Sequence, residues 1–425
     1  ALHSDFGPRD RPGQMSAALM DGKLREAIDS YVKTDALDAE ARQAALSTVV
    51  GALDSKDVQL LDVVIYLEKP LNDPEAPQVR RWAVQLLADC IRDASKLGLN
   101  FKHAETLARF FASKLGDWQC VEGALRGLLV LLLQHAPLMR GLRGGDEGGE
   151  PLVTNLARRL FSDVSPPSHT QLTRKAALDL VHHLLQAWHE EVAALGPELG
   201  RGVCGAIEEE RDPRNLLLSF SIARQLLGEY DASCVSDETL TALFETVTSY
   251  FPITFQPPKD DRHGITGDHL QAALSRALSA TPRLARTLVP FLLENTKDIA
   301  AGDDDEENTI VQALDTLSSC LEAYGPEVAR AHLPEILATA RDQVCRTTTP
   351  RPEAFCSAVK TSLAVALRDV PSGLHPHWLT RDVEPVLSAL AALALGSGSS
   401  FSGGGARDLL LAAAAAHPAL LRRAW

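Results

Sequence analysis

Three histidines and two glutamates lie close together between residues 182 and 191, and such residues can bind a transition metal or transfer protons. The histidines are His182, His183 and His189. Two metal ligands on one helix usually stand at positions i and i+4, so that both side chains leave the same face. His189 follows His182 by seven residues and His183 by six, which does not fit that spacing. The sequence therefore predicts ordinary surface or half-buried histidines.

Cysteines are the second group that could bind a metal or act as nucleophiles. Zinc and iron–sulfur sites usually take two or more cysteines from one short motif. The chain has no Cys-x-x-Cys pair, and its seven cysteines are far apart: Cys90, Cys120, Cys204, Cys234, Cys320, Cys345 and Cys356. This spacing predicts buried, reduced thiols of a cytosolic or nuclear protein, and a chain that holds no metal and no cofactor.

Other patterns of catalytic or phosphate-binding residues are missing from the sequence. It contains neither Gly-x-Ser-x-Gly nor His-Glu-x-x-His. The glycine-rich segment 141–149 has no Gly-Lys-Ser/Thr after it, and its own acidic side chains would repel phosphate. The acidic run Asp303–Glu307 is contiguous, unlike an EF-hand loop, and favours a solvated helix N-terminus, with docking of a basic partner as the alternative. We predict that the chain is not an enzyme.

The overall composition favours helices and opposes non-specific binding of polyanions. Of the 425 residues, 45% are hydrophobic but only 5% are aromatic, and leucine and alanine dominate. The formal net charge of −14 disfavours attraction to nucleic acid or to anionic lipid. No apolar run reaches the ~20 residues of a membrane-spanning helix. We expect no direct nucleic-acid contact and no membrane.

Small residues recur within apolar helical stripes at a nearly regular distance. The spacings between their centres are 41, 52, 43, 53, 41 and 45 residues, close to the ~40–47-residue period of HEAT and armadillo repeats. Stacked helix pairs of this kind bury one continuous core. The sequence predicts an all-α, HEAT-type α-solenoid, a superhelical stack of helix pairs. The centres are Ala83, Ala124, Ala176, Ser219, Ala272, Ala313 and Ala358.

One repeat array is expected over residues 1–425, with surface loops at 141–151, 252–267 and 396–405. The two longer spacings contain the first two of these loops. The last residues, Asp408–Trp425, end within a helical pattern, so we expect a part of a longer protein.

The segment from Tyr250 to Ile265 is the most unusual part of the chain. Prolines and a glycine exclude a helix there, yet the segment is rich in apolar side chains that a solvated loop would not need. We predict that Phe251, Ile253 and Phe255 pack across the ends of neighbouring repeats. The alternative is that they contact a partner protein directly.

Two segments resemble one protein family. They are Glu209-Glu-Arg-Asp212-Pro213-Arg214-Asn215-Leu-Leu and Tyr250-Phe251-Pro252-Ile-Thr-Phe255-Gln-Pro257-Pro258, the latter followed by His263-Gly264-Ile. Both resemble the N-terminal half of the MMS-nineteen nucleotide excision repair and transcription protein family. The similarity is good from about residue 205 to 345. It departs at Arg262, where the family often has proline.

The resemblance implies a HEAT-repeat scaffold without catalytic activity, the targeting subunit of cytosolic iron–sulfur protein assembly. Implied partners are a WD-repeat propeller subunit and a small adaptor, bound through C-terminal repeats that follow the part matched here. Implied clients are helicases, including the TFIIH helicase, polymerases and primase, in the cytoplasm and nucleus. The runner-up function is a nuclear import receptor or another HEAT-repeat transport adaptor. An enzyme built on an α-toroid is the third alternative, which the lack of converging acid, base or metal-binding residues disfavours.

Overall fold

A computed structural model describes residues 20–33, 38–144, 149–257, 264–297, 304–344, 351–370, 377–395, 403–416 and 420. Within these ranges the fold is all-α, and the only β-type pairing is an isolated bridge between Arg143 and Pro151. No helix in the described ranges is long and apolar enough to cross a membrane. The chain divides into two compact units, residues 1–222 with 230–239, and residues 223–229 with 240–425.

The helices of the first unit form two layers of stacked pairs. Helices α5, α7 and α10 pack side by side in one layer, and α6, α9 and α12 follow one another in the second. The bounds are α1 Gly22–Lys33, α2 Ala39–Ser55, α3 Leu60–Tyr66, α4 Glu68–Asn72, α5 Pro77–Asp93, α6 Phe101–Ser113, α7 Val121–Gln134, α8 Ala136–Arg140, α9 Leu152–Asp163, α10 Gln171–Ala187, α11 His189–Ala193 and α12 Pro197–Ile207.

Within the second unit, taken by itself, the helices also form two layers. Helices α15, α17, α19 and α21 are successive neighbours in one layer, with α16 and α18 in the other. Two helices contribute residues to both units, α13 Pro213–Glu229 and α14 Asp237–Thr248. The remaining bounds are α15 Gly267–Leu278, α16 Ala285–Glu294, α17 Asp304–Tyr324, α18 Pro326–Val344, α19 Pro352–Ala366, α20 Glu384–Leu395 and α21 Gly403–Ala416.

Side-chain caps and close packing explain why these segments become helices. The Asn100 side chain accepts a hydrogen bond from the backbone N–H of His103 at 2.9 Å and so caps α6. At the α6–α7 contact, a Cβ on Gly127 would lie 2.4 Å from the ring of the fully buried Phe111. Only glycine lets this large aromatic ring pack directly against the α7 backbone.

Tyrosines link successive repeats at the C-terminal ends of helices. The hydroxyl of Tyr230 donates to the carbonyl oxygen of Leu185 at 2.9 Å, and that of Tyr324 donates to the carbonyl oxygen of Leu278. The paired residues are 45 and 46 positions apart, which is one repeat. The last carbonyl groups of a helix have no partner within the helix, so each tyrosine satisfies one of them.

The repeat centres predicted from the sequence are buried, with one exception. Ala272 on α15 is exposed, and its neighbour Ala273 lies in the core at 8% exposure. Both positions are alanine, so composition could not distinguish them. The predicted loop at 396–405 needs a second correction, since Gly403 to Gly405 already belong to α21. Residues 396–402 lie outside the described ranges.

Candidate functional site

The first family-like segment surrounds a buried carboxylate at the start of α13. Glu210 is 3% exposed, and Arg174 on α10 binds it with two hydrogen bonds of 2.9 and 2.7 Å. The backbone N–H groups of Arg211 and Asp212 donate to the same carboxylate at 2.8 and 2.9 Å. The Asn215 side-chain amide donates to it at 3.0 Å. Glu210 therefore ties the turn before α13 to the preceding repeat.

Asp212 caps α13, and Pro213 occupies the first helical position. One Asp212 oxygen accepts the backbone N–H of Arg214 at 3.0 Å, which satisfies an N-terminal donor of the helix. The Arg214 guanidinium also binds the Asp212 carboxylate, at 2.9 and 2.6 Å. Asn215 is 1% exposed. All four signature residues thus serve the folding of this turn.

The electrostatics of this junction favour two ionised carboxylates. Burial by itself raises the pKa of Glu210, but the hydrogen bonds from Arg174, the Asp212 N–H and Asn215 outweigh it, so the pKa lies below its usual value. The hydrogen bond from Arg214 lowers the pKa of Asp212. Both groups stay charged at neutral pH as fixed parts of the structure, which leaves neither suited to exchange protons with a substrate.

The second family-like segment is held through its backbone. The Gln312 side chain on α17, 3% exposed, accepts the Ile253 N–H at 2.9 Å and donates to the Ile253 carbonyl at 2.9 Å. One amide thereby satisfies both backbone groups of a residue outside any helix. The Ile253 side chain is 8% exposed and belongs to the core.

Aromatic rings hold the start of this loop. The half-buried Phe251 ring meets Phe291 of α16 edge-on, with 5.8 Å between centroids, and Phe291 also contacts Phe244 at 5.7 Å. Tyr250 and Pro252 are half-buried as well, and the Phe251–Pro252 peptide bond is cis. These contacts match the predicted packing across neighbouring repeats.

The rest of the loop is more exposed. Phe255 is half-buried and its carbonyl oxygen would lie 2.9 Å from a Cβ on Gly267, whereas Pro257 is exposed. Gly264 adopts a positive φ of 64°, a conformation that favours glycine. Pro258 and His263 lie outside the described ranges, so their predicted roles are untested.

Among the residues that the structure describes, the histidines, cysteines and acidic run do not converge on one site. His182 lies 3.4 Å from the Ser221 hydroxyl, and His189 stacks on Tyr230 with 4.3 Å between ring centroids. Over the described ranges, no three His, Cys, Asp or Glu side chains are placed to hold a metal ion. The acidic residues from Asp304 to Glu307 form the first turn of α17.

Burial keeps the described cysteines in the thiol form at neutral pH. Burial raises the thiol pKa to about 12 for Cys120 and Cys320 and to about 11 for Cys204 and Cys356. It also raises the pKa of Cys90 and Cys234. Because the thiolate is the reactive form, burial disfavours a nucleophilic role for these thiols.

Three side chains that hold the junctions, Glu210, Arg174 and Gln312, were not predicted as site residues. Glu210 lies within the first family-like segment but was not singled out, and its partner Arg174 is 36 positions away. Gln312 is 59 positions from Ile253. The sequence held one signal for Gln312: this polar residue stands directly before the buried repeat centre Ala313, at a position where an apolar residue is expected.

Stacked helix pairs in each unit define the chain as an all-α solenoid of the HEAT type. Among solved structures, the karyopherin Kap121p bound to the extreme C-terminus of the protein phosphatase Cdc14p has a similar fold. The TM-score is 0.51 at 15% sequence identity, covering 95% of this chain and 38% of that chain. At this identity the likeness concerns the fold alone.

Residues 64–346 match the family MMS19_N, described as "Dos2-interacting transcription regulator of RNA-Pol-II", and the chain belongs to that family. Its relatives include the human MMS19 nucleotide excision repair protein homolog, 31% identical over 321 residues, or 75% of this chain and 29% of the relative. The Arabidopsis thaliana homolog of the same name is 26% identical over 380 residues, 87% of this chain and 30% of the relative. The chain therefore spans less than a third of the length of these relatives.

Proposed function

We propose that this chain is the client-binding, non-catalytic part of a scaffold in cytosolic iron–sulfur protein assembly. The observation that carries the proposal is the family match over residues 64–346, together with relatives named for nucleotide excision repair. The clients would be apo-proteins of DNA replication, repair and transcription, including the TFIIH helicase. The protein would act in the cytoplasm and nucleus.

The chemistry of the described side chains supports a binding role. The buried carboxylate of Glu210 and the half-buried carboxylate of Asp212 each bind a guanidinium group, and their pKa values are lowered rather than tuned to neutral pH. Burial raises the pKa of the cysteine thiols, so thiolates are scarce. Residues of these kinds stabilise helix junctions, and a stack of helix pairs offers a long surface for partner proteins.

The family match covers only part of the relatives, so we assign different binding functions to different parts of the full-length protein. This chain would bind clients, while repeats further along the relatives would bind the WD-repeat propeller subunit and the small adaptor. The second candidate function is that of a nuclear import receptor. The karyopherin-like fold favours it, but a likeness in fold alone does not identify a binding partner.

Affinity purification with the 425-residue chain as bait tests the proposal. We expect at least one client helicase or polymerase subunit to be recovered, more weakly than with a full-length family member, and little of the propeller subunit and adaptor. Recovery of the assembly subunits at full-length levels with no client would show that the two halves have been assigned in reverse. Iron or zinc at about one equivalent per chain after anaerobic purification would contradict the absence of a resident cofactor.

A further inference from the structure

A groove of about 370 Å³ in the first unit runs across helices α2, α5, α7 and α10. Six of its thirteen lining residues are charged, which sets it apart from the apolar contacts between the helices. They are Arg42, Arg81, Arg92 and Arg126, with Asp89 and Glu122. Asp93 also binds Arg92, at 2.7 and 2.8 Å, so four cations against three carboxylates leave a local charge of +1, on a chain whose formal charge is −14.

An aromatic ring orders the arginines on one side of the groove. The Arg42 guanidinium lies 3.5 Å from the ring centroid of Trp82, and that of Arg81 lies 5.1 Å from it. Tyr31 contacts Trp82 edge-on at 6.4 Å. Stacking holds the guanidinium of Arg81 in place without using its N–H donors, so less entropy is lost when Arg81 binds a carboxylate.

The carboxylates in the groove do not saturate the arginines. Arg81 and Arg126 both bind Glu122, at 3.2 and 2.8 Å, and their side chains remain 38% and 39% exposed. A guanidinium has five N–H donors, so two of these groups sharing one carboxylate can accept a further anion. The groove is therefore electrostatically complementary to added carboxylates.

Two exposed apolar side chains extend this surface. Leu172 lines the groove at the start of α10 and is 55% exposed. Trp118, 57% exposed, lies four residues before Glu122 and stacks on His169 at 4.5 Å, and His169 lies three residues before Leu172. Exposed tryptophan held in a fixed position is the residue type that most often dominates binding energy at protein interfaces.

We propose that this groove binds a short acidic segment of a partner protein. Carboxylates of the segment would pair with Arg81 and Arg126, and a neighbouring aliphatic or aromatic side chain would pack on Leu172 and Trp118. The inference rests on the proposed role as a scaffold and gives that role a surface and a partner chemistry. Nucleic acid fits less well, because a long polyanion would meet the negative charge of the rest of the chain.

The test is fluorescence anisotropy with the 425-residue chain and a fluorescein-labelled peptide in which glutamate alternates with leucine and tryptophan. A matched peptide with lysine in place of glutamate and a labelled single-stranded oligonucleotide serve as competing ligands. We expect the acidic peptide to bind, with an affinity that falls as salt is added. Equal binding of the lysine peptide, or tighter binding of the oligonucleotide, would overturn the proposal.

Three variants locate the binding surface. The double change Arg81→Glu and Arg126→Glu should weaken binding of the acidic peptide by roughly tenfold or more, because attraction becomes repulsion. Trp118→Ala should weaken it roughly fivefold and leave the melting temperature unchanged, because this side chain is mostly exposed. Arg159→Glu is the matched control, since Arg159 is 45% exposed and lies on α9 in the other layer. It should not change the affinity.

The failure of this inference can be told apart from failure of the proposed function. If Trp118→Ala and the double variant bind the acidic peptide as the wild type does, the groove is not the site, even if client proteins are still recovered by the wild-type bait. If the groove variants bind the acidic peptide more weakly, as expected, but the wild-type bait recovers no client, the groove is confirmed as a binding site and the assignment to iron–sulfur assembly fails.

Discussion

The two family-like segments close their repeat junctions by different chemistry. The junction at Glu210 is built on a charged group, since a guanidinium, two backbone N–H groups and an amide all donate hydrogen bonds to one buried carboxylate. Around Ile253 the contacts are neutral, with one glutamine amide bound to both backbone groups and aromatic rings packed beside it. A solenoid can thus build its irregular connections with either an ion or an amide, provided that every buried polar group has a partner.

This difference also changes how the signatures are interpreted. Asp212, Asn215 and Phe251 point into their own junctions, so the residues that mark the family shape the fold in both places. The exposed, unevenly charged surface with Trp118 lies outside these two segments. If the proposed groove is the binding site, the residues of these two segments are not the ones that bind partners.

The largest loss of folding stability is expected at the charged junction around Glu210. Glu210→Ala leaves the Arg174 guanidinium, 20% exposed, without its bidentate partner and frees three further donors. The free energy of unfolding should fall by about 3 kcal/mol, as measured by urea unfolding. Glu208→Ala removes an exposed carboxylate from the same turn and should change it by less than about 0.5 kcal/mol. If both changes lower the free energy of unfolding equally, Glu210 does not stabilise the junction.

The charge at Glu210 also gives this junction a pH dependence. Because its folded-state pKa lies below its ordinary value of 4.5, its stabilisation is complete above pH 4.5 and is lost as pH falls through the lower, folded-state pKa. Glu210→Gln removes that titration, so its urea midpoint should fall less between pH 6 and pH 3 than that of the wild type. If the urea midpoints of both proteins fall equally, the pH dependence does not come from Glu210.

A somewhat smaller loss is expected at the neutral junction. Gln312→Ala leaves the buried N–H and C=O of Ile253 without partners and should cost about 2 kcal/mol in the free energy of unfolding. Gln256→Ala, at an exposed position of the same loop, is the control and should be neutral. If Gln312→Ala is as stable as the control, the amide does not hold the loop.

The aromatic contact should contribute less than the amide. Truncation of a fully buried phenylalanine costs about 3 kcal/mol or more, but the Phe251 ring is half-buried. Phe251→Ala should therefore lower the free energy of unfolding by about 1–2 kcal/mol, through lost packing against Phe291. Thr254→Ala, exposed in the same loop, should be neutral in the same urea titration. A loss above about 3 kcal/mol would place the ring in the core after all.

The smallest effect is expected from the helix cap. Asp212→Ala removes the acceptor for the Arg214 N–H and a largely surface ion pair, which together should cost about 1 kcal/mol. Asp212→Asn keeps an acceptor oxygen and should recover most of that loss in thermal melts. If asparagine and alanine are equally destabilising, the cap is not what Asp212 contributes.

Helix pairs and their period could be predicted because apolar stripes and small residues repeat along the sequence. The error at Ala272 arose because two adjacent alanines fit the stripe equally well, and only packing shows that Ala273 is buried. Partners such as Arg174 and Gln312 were out of reach, since they lie 36 and 59 residues from the groups they bind. The groove needs α2, α5, α7 and α10 to be stacked before its arginines meet.

The central claim is that the family signatures build the fold while partners bind elsewhere, and one experiment tests it directly. Client recovery is compared for Phe251→Ala, Trp118→Ala and wild-type bait, at a temperature below all three melting temperatures. We predict that Phe251→Ala melts earlier yet recovers the same clients, whereas Trp118→Ala melts like the wild type and recovers less. The claim is contradicted if Phe251→Ala keeps the wild-type melting temperature and loses a client.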